Sequence, residues 1–177
     1  MRDGGGRVIH PIPPFYSEDS LILILGSFPS VRSREERFFY AHPRNRFWQT
    51  LARIFRESVP ASVDEKKSFL LRNRIALWDV IGSCSISASS DASIRGATPN
   101  DIPGLLRSIN VKAIFTNGGT ASKLYKKLIL PVCGIEAIPL PSSSPANASL
   151  SADRLAEEWE KAMRPILSAE PGMAERQ

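Results

Sequence analysis

Short apolar runs alternate along the chain with stretches whose apolar residues recur at helical spacing. Leu21-Ile22-Leu23-Ile24-Leu25 is a continuous apolar run closed by Gly26, which predicts a strand buried on both faces. Over residues 45–58, Phe47, Trp48, Leu51, Ile54 and Phe55 fall at helical intervals and Pro60 follows the stop. A second, shorter helix is predicted over 64–72, and a second buried strand over 75–78, closed by Asp79. Residues 82–99 are rich in Ser and Ala with little periodicity and read as a long loop, of the kind that is either functional or mobile. Thr98 or Asn100 is placed to cap a helix running to about Ile109, a third strand is predicted over 111–116, and Gly118-Gly119 opens a helix through Lys127. Residues 135–140 form the fourth strand signal and run into Pro141-Ser142-Ser143-Ser144-Pro145. The last helix, 151–167, sets Leu155, Trp159, Met163 and Ile166 on one face. The Pro-rich stretch 10–14 reads as an extended surface arm, and the tail after Ser168 is expected to fray.

Alternating strand and helix signals favour an α/β fold, a parallel sheet with helices on both faces. In such sheets ligands gather outside the C-terminal ends of the strands. Those ends are residues 26–30, Asp79 with the loop after it, Asn117-Gly118-Gly119, and 141–145. These four segments, far apart in sequence, are therefore predicted to converge.

Composition narrows the chemistry. The 177 residues, 42% hydrophobic and 23% charged, suit one domain over 1–177, with an arm at about 1–19 and a tail at 168–177. The net charge of +5 is compatible with a polyanionic partner. Residues 31–56 hold seven arginines against Glu35 and Glu36, as much net charge as the whole chain, interleaved with Phe38, Phe39, Tyr40, Phe47 and Trp48. Arginines among aromatics serve phosphate contact and base stacking. Helical spacing favours core positions for Phe47 and Trp48, with the arginines as a solvated face, whereas Phe39 and Tyr40 precede a Pro-containing turn and are freer to line a pocket. Cys84, Cys133, His10 and His42 form no CxxC and no zinc spacing, so neither a metal nor another cofactor is expected. The two cysteines favour a reduced, cytoplasmic protein. The longest apolar run is far short of a membrane span, and Met1-Arg2-Asp3 with the glycines after it lacks a signal peptide's apolar stretch. Walker, dinucleotide-binding and GxSxG signatures are all missing.

Three tracts carry a family resemblance: Gly26-Ser27-Phe28-Pro29-Ser30, the run Tyr40-Ala41-His42-Pro43-Arg44-Asn45-Arg46-Phe47-Trp48, and Leu140-Pro141-Ser142-Ser143-Ser144-Pro145. They resemble the uracil-DNA glycosylase superfamily, and with Thr116-Asn117-Gly118 they look most like its hypoxanthine-DNA glycosylase branch, over about residues 11–164. The resemblance implies a three-layer α/β/α sandwich around a four-stranded parallel sheet. It also implies metal-free, monofunctional removal of a deaminated base from DNA by a monomer.

On that resemblance, Asn45 is the first choice as catalytic residue, positioning water or donating to the leaving base; capping of the following helix is the alternative and does not exclude it. Asn117 is a second polar candidate. Tyr40 matches the position whose ring stacks on a flipped base. Ser27 and Phe28 would offer backbone groups to the base or the water. Asp79 is the candidate acceptor for the ring imino N–H that hypoxanthine and uracil carry and their parent bases lack; an Asp bonded to nearby backbone N–H groups is the alternative. Ser142, Ser143 and Ser144 would hold phosphates, joined on the DNA side by Ser30 and Arg44, and His42 would order the turn. Two positions depart from the mismatch-specific uracil glycosylases: Phe28 replaces an Asn that orients water, and Leu140 stands where His or Asn is common. Hypoxanthine is therefore the expected substrate, with uracil, or lesion binding without turnover, as alternatives. The small Ser144 replaces a bulky wedge.

Overall fold

The computed structural model describes residues 7–86 and 94–169. Along the chain it forms β1 (Arg7–Ile9), β2 (Ile22–Gly26), α1 (Val31–Glu36), α2 (Phe47–Ile54), α3 (Val63–Arg72), β3 (Ile75–Asp79), β4 (Ile81–Ile86), β5 (Ile94–Pro99), α4 (Ile102–Ser108), β6 (Ala113–Asn117), α5 (Gly119–Leu128), α6 (Leu130–Cys133), β7 (Ala137–Leu140) and α7 (Ala152–Leu167). Four of the strands make one parallel sheet in the order β3-β2-β6-β7.

Strand β2 lies at the centre and is buried throughout. Because successive side chains point to opposite faces, it feeds two cores. Ile22 and Ile24 join Phe47, Trp48 and Leu51 of α2, Phe69 of α3 and Leu155, Trp159 and Met163 of α7. Leu23 and Leu25 join Ile102 and Leu105 of α4, Tyr125 of α5 and Ile81 and Cys84 of β4. A strand apolar at every position thus becomes the middle layer of the expected α/β/α sandwich.

Local signals set the helix boundaries. Ser62 and Glu65 close a reciprocal capping box at the start of α3. Ser151 caps α7, and Asp101, rather than Thr98 or Asn100, caps α4 by accepting from the Gly104 amide at 2.8 Å. Asn100 instead spends its side-chain amide on the carbonyls of Asp79 and Ile81. The short helix α1 is not apparent in the hydrophobic pattern, since Ser33 is its one buried residue; the Ser30 hydroxyl starts it by accepting from the Ser33 amide.

Two expectations are corrected. Residues 82–99 are not simply a loop: β4 and β5 pair antiparallel, with β1 on the other side of β4. Register shifts at Ile81/Ser83 and Ser83/Ser85 break the period of two by which a strand is recognised, and the intervening residues 87–93 lie outside the described ones. Nor is the 10–14 segment a surface arm. Ile12 is buried in the first core, and just beyond the segment Phe15 exchanges both backbone hydrogen bonds with Leu77, covering the free edge of β3. Of the tail expected to fray, residues 170–177 are outside the described region. Among the described residues no helix is long and apolar enough to cross a membrane.

Candidate active site

The C-terminal ends of the parallel strands converge as the topology requires. Gly26, ending β2, is registered against Asp79, ending β3, and Asn117, ending β6, against Leu140, ending β7. The chain after β7 reaches back across the sheet: Trp159 of α7 donates its indole N–H to the Pro141 carbonyl at 2.8 Å.

Gly26 matters for its missing side chain. A Cβ there would sit 2.2 Å from Asp79 Oδ1 and 3.0 Å from the Tyr40 hydroxyl. The glycine therefore lets a carboxylate and a phenol crowd over one strand end. Asp79 is buried, and its other oxygen, Oδ2, lies 2.7 Å from His10 Nε2. The tautomer follows from the second ring nitrogen: His10 Nδ1 accepts from the Ile12 amide at 3.2 Å, so Nε2 carries the proton and donates to the carboxylate. The alternative reading of Asp79 as an Asp bonded to backbone N–H groups is thus replaced by a bond to a side chain. His10 was absent from the sequence-derived site; the only signal was a lone histidine opening a Pro-rich run. Its ring also stands edge-on to Phe28, with centroids 5.7 Å apart. Replacing His10 with Ala is expected to cost about 1–3 kcal/mol, because it strips a buried carboxylate of its donor. Urea unfolding would measure that loss, and a midpoint equal to the parent's would contradict it.

Tyr40 lies parallel to Phe47, with centroids 3.8 Å apart and planes 13° apart. Its φ of 52° is unusual for an aromatic residue. The neighbouring Ala41 amide is fixed by the Ser33 hydroxyl at 3.2 Å. Phe39, by contrast, is buried in the core. Phe47 and Trp48 are core, as their spacing predicts.

Phe47 also connects Tyr40 to Asn45, since its amide donates to Asn45 Oδ1 at 3.0 Å at the start of α2. The same oxygen accepts from the Ser143 hydroxyl at 2.9 Å. Ser143 is in turn held by Asn117, which donates through Nδ2 to Ser143 Oγ at 2.8 Å and accepts from the Ser143 amide at 2.9 Å. Ser143 was expected on a phosphate; it is instead fully buried, and its carbonyl takes the Arg46 amide. Ser142 and Ser144 stay half-buried in the same loop, where their hydroxyls accept from the Ser144 and Ala146 amides respectively. Ser27 is buried and its carbonyl accepts from Ile81, while Ser30 is exposed at the cap of α1.

The arginine tract divides by function. Arg46 ties the last loop down, donating to the carbonyls of Leu150, Asn147 and Ser144. Arg34 donates to the Pro29 carbonyl and lies over the Phe28 ring. Arg32 pairs with Glu35 and Glu36, and Arg53 with Asp153. Arg44 is exposed at the turn next to Asn45. Hence the tract is not one solvated face, and the clamping role of Arg46 is visible only in three dimensions. Among the described residues no cluster of three or more His, Cys, Asp or Glu could hold a metal.

Known proteins match this arrangement over most of the chain. A family model described as the uracil DNA glycosylase superfamily matches residues 13–164. A hypoxanthine DNA glycosylase of Methanosarcina acetivorans is 37% identical over 154 residues, 86% of this chain and 96% of that protein. One from Methanosarcina barkeri is 34% identical over 138 residues, 76% of this chain and 85% of that protein. A solution NMR structure of a provisionally named uracil DNA glycosylase from Methanosarcina acetivorans superposes with a TM-score of 0.74 at 35% identity, covering 88% of this chain and 96% of that one. With the motif tracts, the parallel sheet and these matches in agreement, the chain belongs to the uracil DNA glycosylase superfamily.

Proposed function

We propose that this chain is a monofunctional DNA glycosylase that hydrolyses the N-glycosidic bond of a deaminated base, hypoxanthine first, after flipping the nucleotide out of the duplex. The observation that carries the reading is the orientation of Asn45: its Oδ1 accepts two hydrogen bonds from within the protein, which leaves its Nδ2 hydrogens as the donors it can offer a ligand. The relatives named for hypoxanthine support the choice of base.

The flipped base would stack on the face of Tyr40 opposite Phe47. Asp79 Oδ1, at the floor formed by Gly26, would accept the N1–H of hypoxanthine. Adenine has no proton there and would leave the buried acceptor unpaired, which is how the site would tell hypoxanthine from its parent base. Backbone groups of Ser27 and Phe28 would contact the base or the water. As the C1′–N9 bond breaks, its electron pair passes to the purine ring while the sugar becomes cationic. Asn45 Nδ2 would donate to the departing anion, with Asn117 behind it through the Ser143 hydroxyl. Water then adds to C1′ and gives up a proton, and the base gains one.

Ser30, Arg44, Ser142 and Ser144 would lie along the DNA backbone, with the protein working as a monomer. Arg44→Ala is expected to weaken binding to all sequences alike and to reduce the salt slope of log Kd by about 1. Fluorescence anisotropy across a salt series would read this, and an unchanged slope would remove Arg44 from the interface. The proposal as a whole is tested by incubating the protein with duplexes carrying inosine, uracil or xanthine, followed by alkaline cleavage at abasic sites. Inosine should yield the most product; no product from any of them at excess protein would end the reading. Stronger action on uracil would instead favour the activity named for the structural relative.

A further inference from the structure

The Asn45–Ser143–Asn117 chain has a direction that two backbone amides determine. Phe47 N–H can only donate, so the Asn45 atom 3.0 Å from it is the oxygen and the nitrogen faces the other way. Ser143 N–H likewise can only donate, so the Asn117 atom 2.9 Å from it is the oxygen, and the Asn117 nitrogen is the donor to Ser143 Oγ at 2.8 Å. An Oγ that receives that bond has its own hydrogen left for Asn45 Oδ1, 2.9 Å away. Every polar group of Ser143 is then used, since its carbonyl accepts from Arg46 at 3.0 Å. The side chain is fully buried, with nothing left over for a phosphate.

We infer that Ser143 is a positioning residue: it relays polarisation one way, from Asn117 through its hydroxyl to Asn45, and holds the Asn45 amide as a donor aimed at the leaving base. This rests on the glycosylase reading above and deepens it. Two bonds on Oδ1 withdraw electron density from the amide and make its nitrogen hydrogens better donors. They also prevent the amide from flipping to present its oxygen, which would repel a base departing as an anion. Asn117 acts through Ser143, and its reach to the strand end of β6 links the relay to the rigid sheet.

The test is single-turnover release of hypoxanthine from a duplex carrying one deoxyinosine, read as the maximal rate and as the DNA concentration giving half of it. Ser143→Ala should lower the maximal rate by about 10–100-fold, with the half-saturating concentration within about twofold of the parent's. Asn117→Asp preserves the volume and still accepts the Ser143 amide, but its carboxylate draws the Ser143 hydroxyl hydrogen to itself. It should therefore slow the reaction much as Ser143→Ala does, and the double variant should be no slower than the slower single one. Because Asn117→Asp preserves the packing, it carries the test alone if Ser143→Ala melts early. A parent-like maximal rate in both variants would overturn the relay while leaving the glycosylase reading intact. A loss confined to the half-saturating concentration would make Ser143 a phosphate contact after all, and additive losses in the double variant would give Asn117 a separate role; either overturns it. Parent protein that releases no base at all would fail the glycosylase reading, and the relay with it.

Discussion

Asn45→Ala should cut the single-turnover release of hypoxanthine by about 10²–10³-fold, the usual effect of deleting one donor to a developing anion. Affinity for the inosine duplex should change little, because Asn45 is proposed to act when the base leaves rather than when it docks. The substitution also leaves the Phe47 amide and the Ser143 hydroxyl without their shared acceptor, so a modest loss of stability, about 1 kcal/mol, accompanies it. Asn45→Asp separates the two effects. It is isosteric and preserves both acceptor bonds, so the melting temperature should be held, yet it replaces the donor with a negative charge facing an anionic leaving group. It should be at least as slow as Asn45→Ala. A rate above about a tenth of the parent's in Asn45→Asp would mean that Asn45 only holds the start of α2 through the Phe47 amide, since removal of a true donor costs far more than tenfold.

Gly26→Ala should abolish detectable excision while leaving a folded protein. The new methyl group would lie 2.2 Å from Asp79 Oδ1 and 3.0 Å from the Tyr40 hydroxyl, so the carboxylate must move. Its other oxygen is tethered to His10, and the backbone around it is hydrogen-bonded to Asn100, so movement is costly. Overpacking of this kind typically costs about 1–3 kcal/mol, which in a chain of this size lowers the melting temperature by about 2–4 °C per kcal/mol. The base-reading acceptor and the stacking ring are displaced together, so both release of hypoxanthine and preference for inosine over adenine duplexes should be lost. Calorimetry together with a binding titration would check this. Full activity in Gly26→Ala would show that the base is read elsewhere.

Much of the architecture was legible because burial on both faces leaves a plain signature. Residues 21–25 and 75–78 have to be buried strands, as apolar side chains run through them without a polar interruption, and the helical spacing of Phe47, Trp48 and Leu51 correctly predicts a buried stripe. Convergence of the strand ends follows from parallel topology alone. The second sheet was illegible, because β4 is bulged, is held by backbone pairing with β1 on one side and β5 on the other, and shows no alternation. Polar residues posed a related difficulty: a serine that binds phosphate and a serine buried in a relay look identical in one dimension.

Residue type and order therefore determined which strands form the sheet, which side chains fill the two cores, and which tracts meet at its edge, since hydrophobic burial is coarse and depends on period. Tertiary structure alone decided that His10 takes the outer oxygen of Asp79, that Arg46 clamps the last loop, and that Ser143 turns inward between two asparagines. Hydrogen bonds are directional over about 3 Å, so which polar group pairs with which depends on atomic positions that no pattern of residue types encodes.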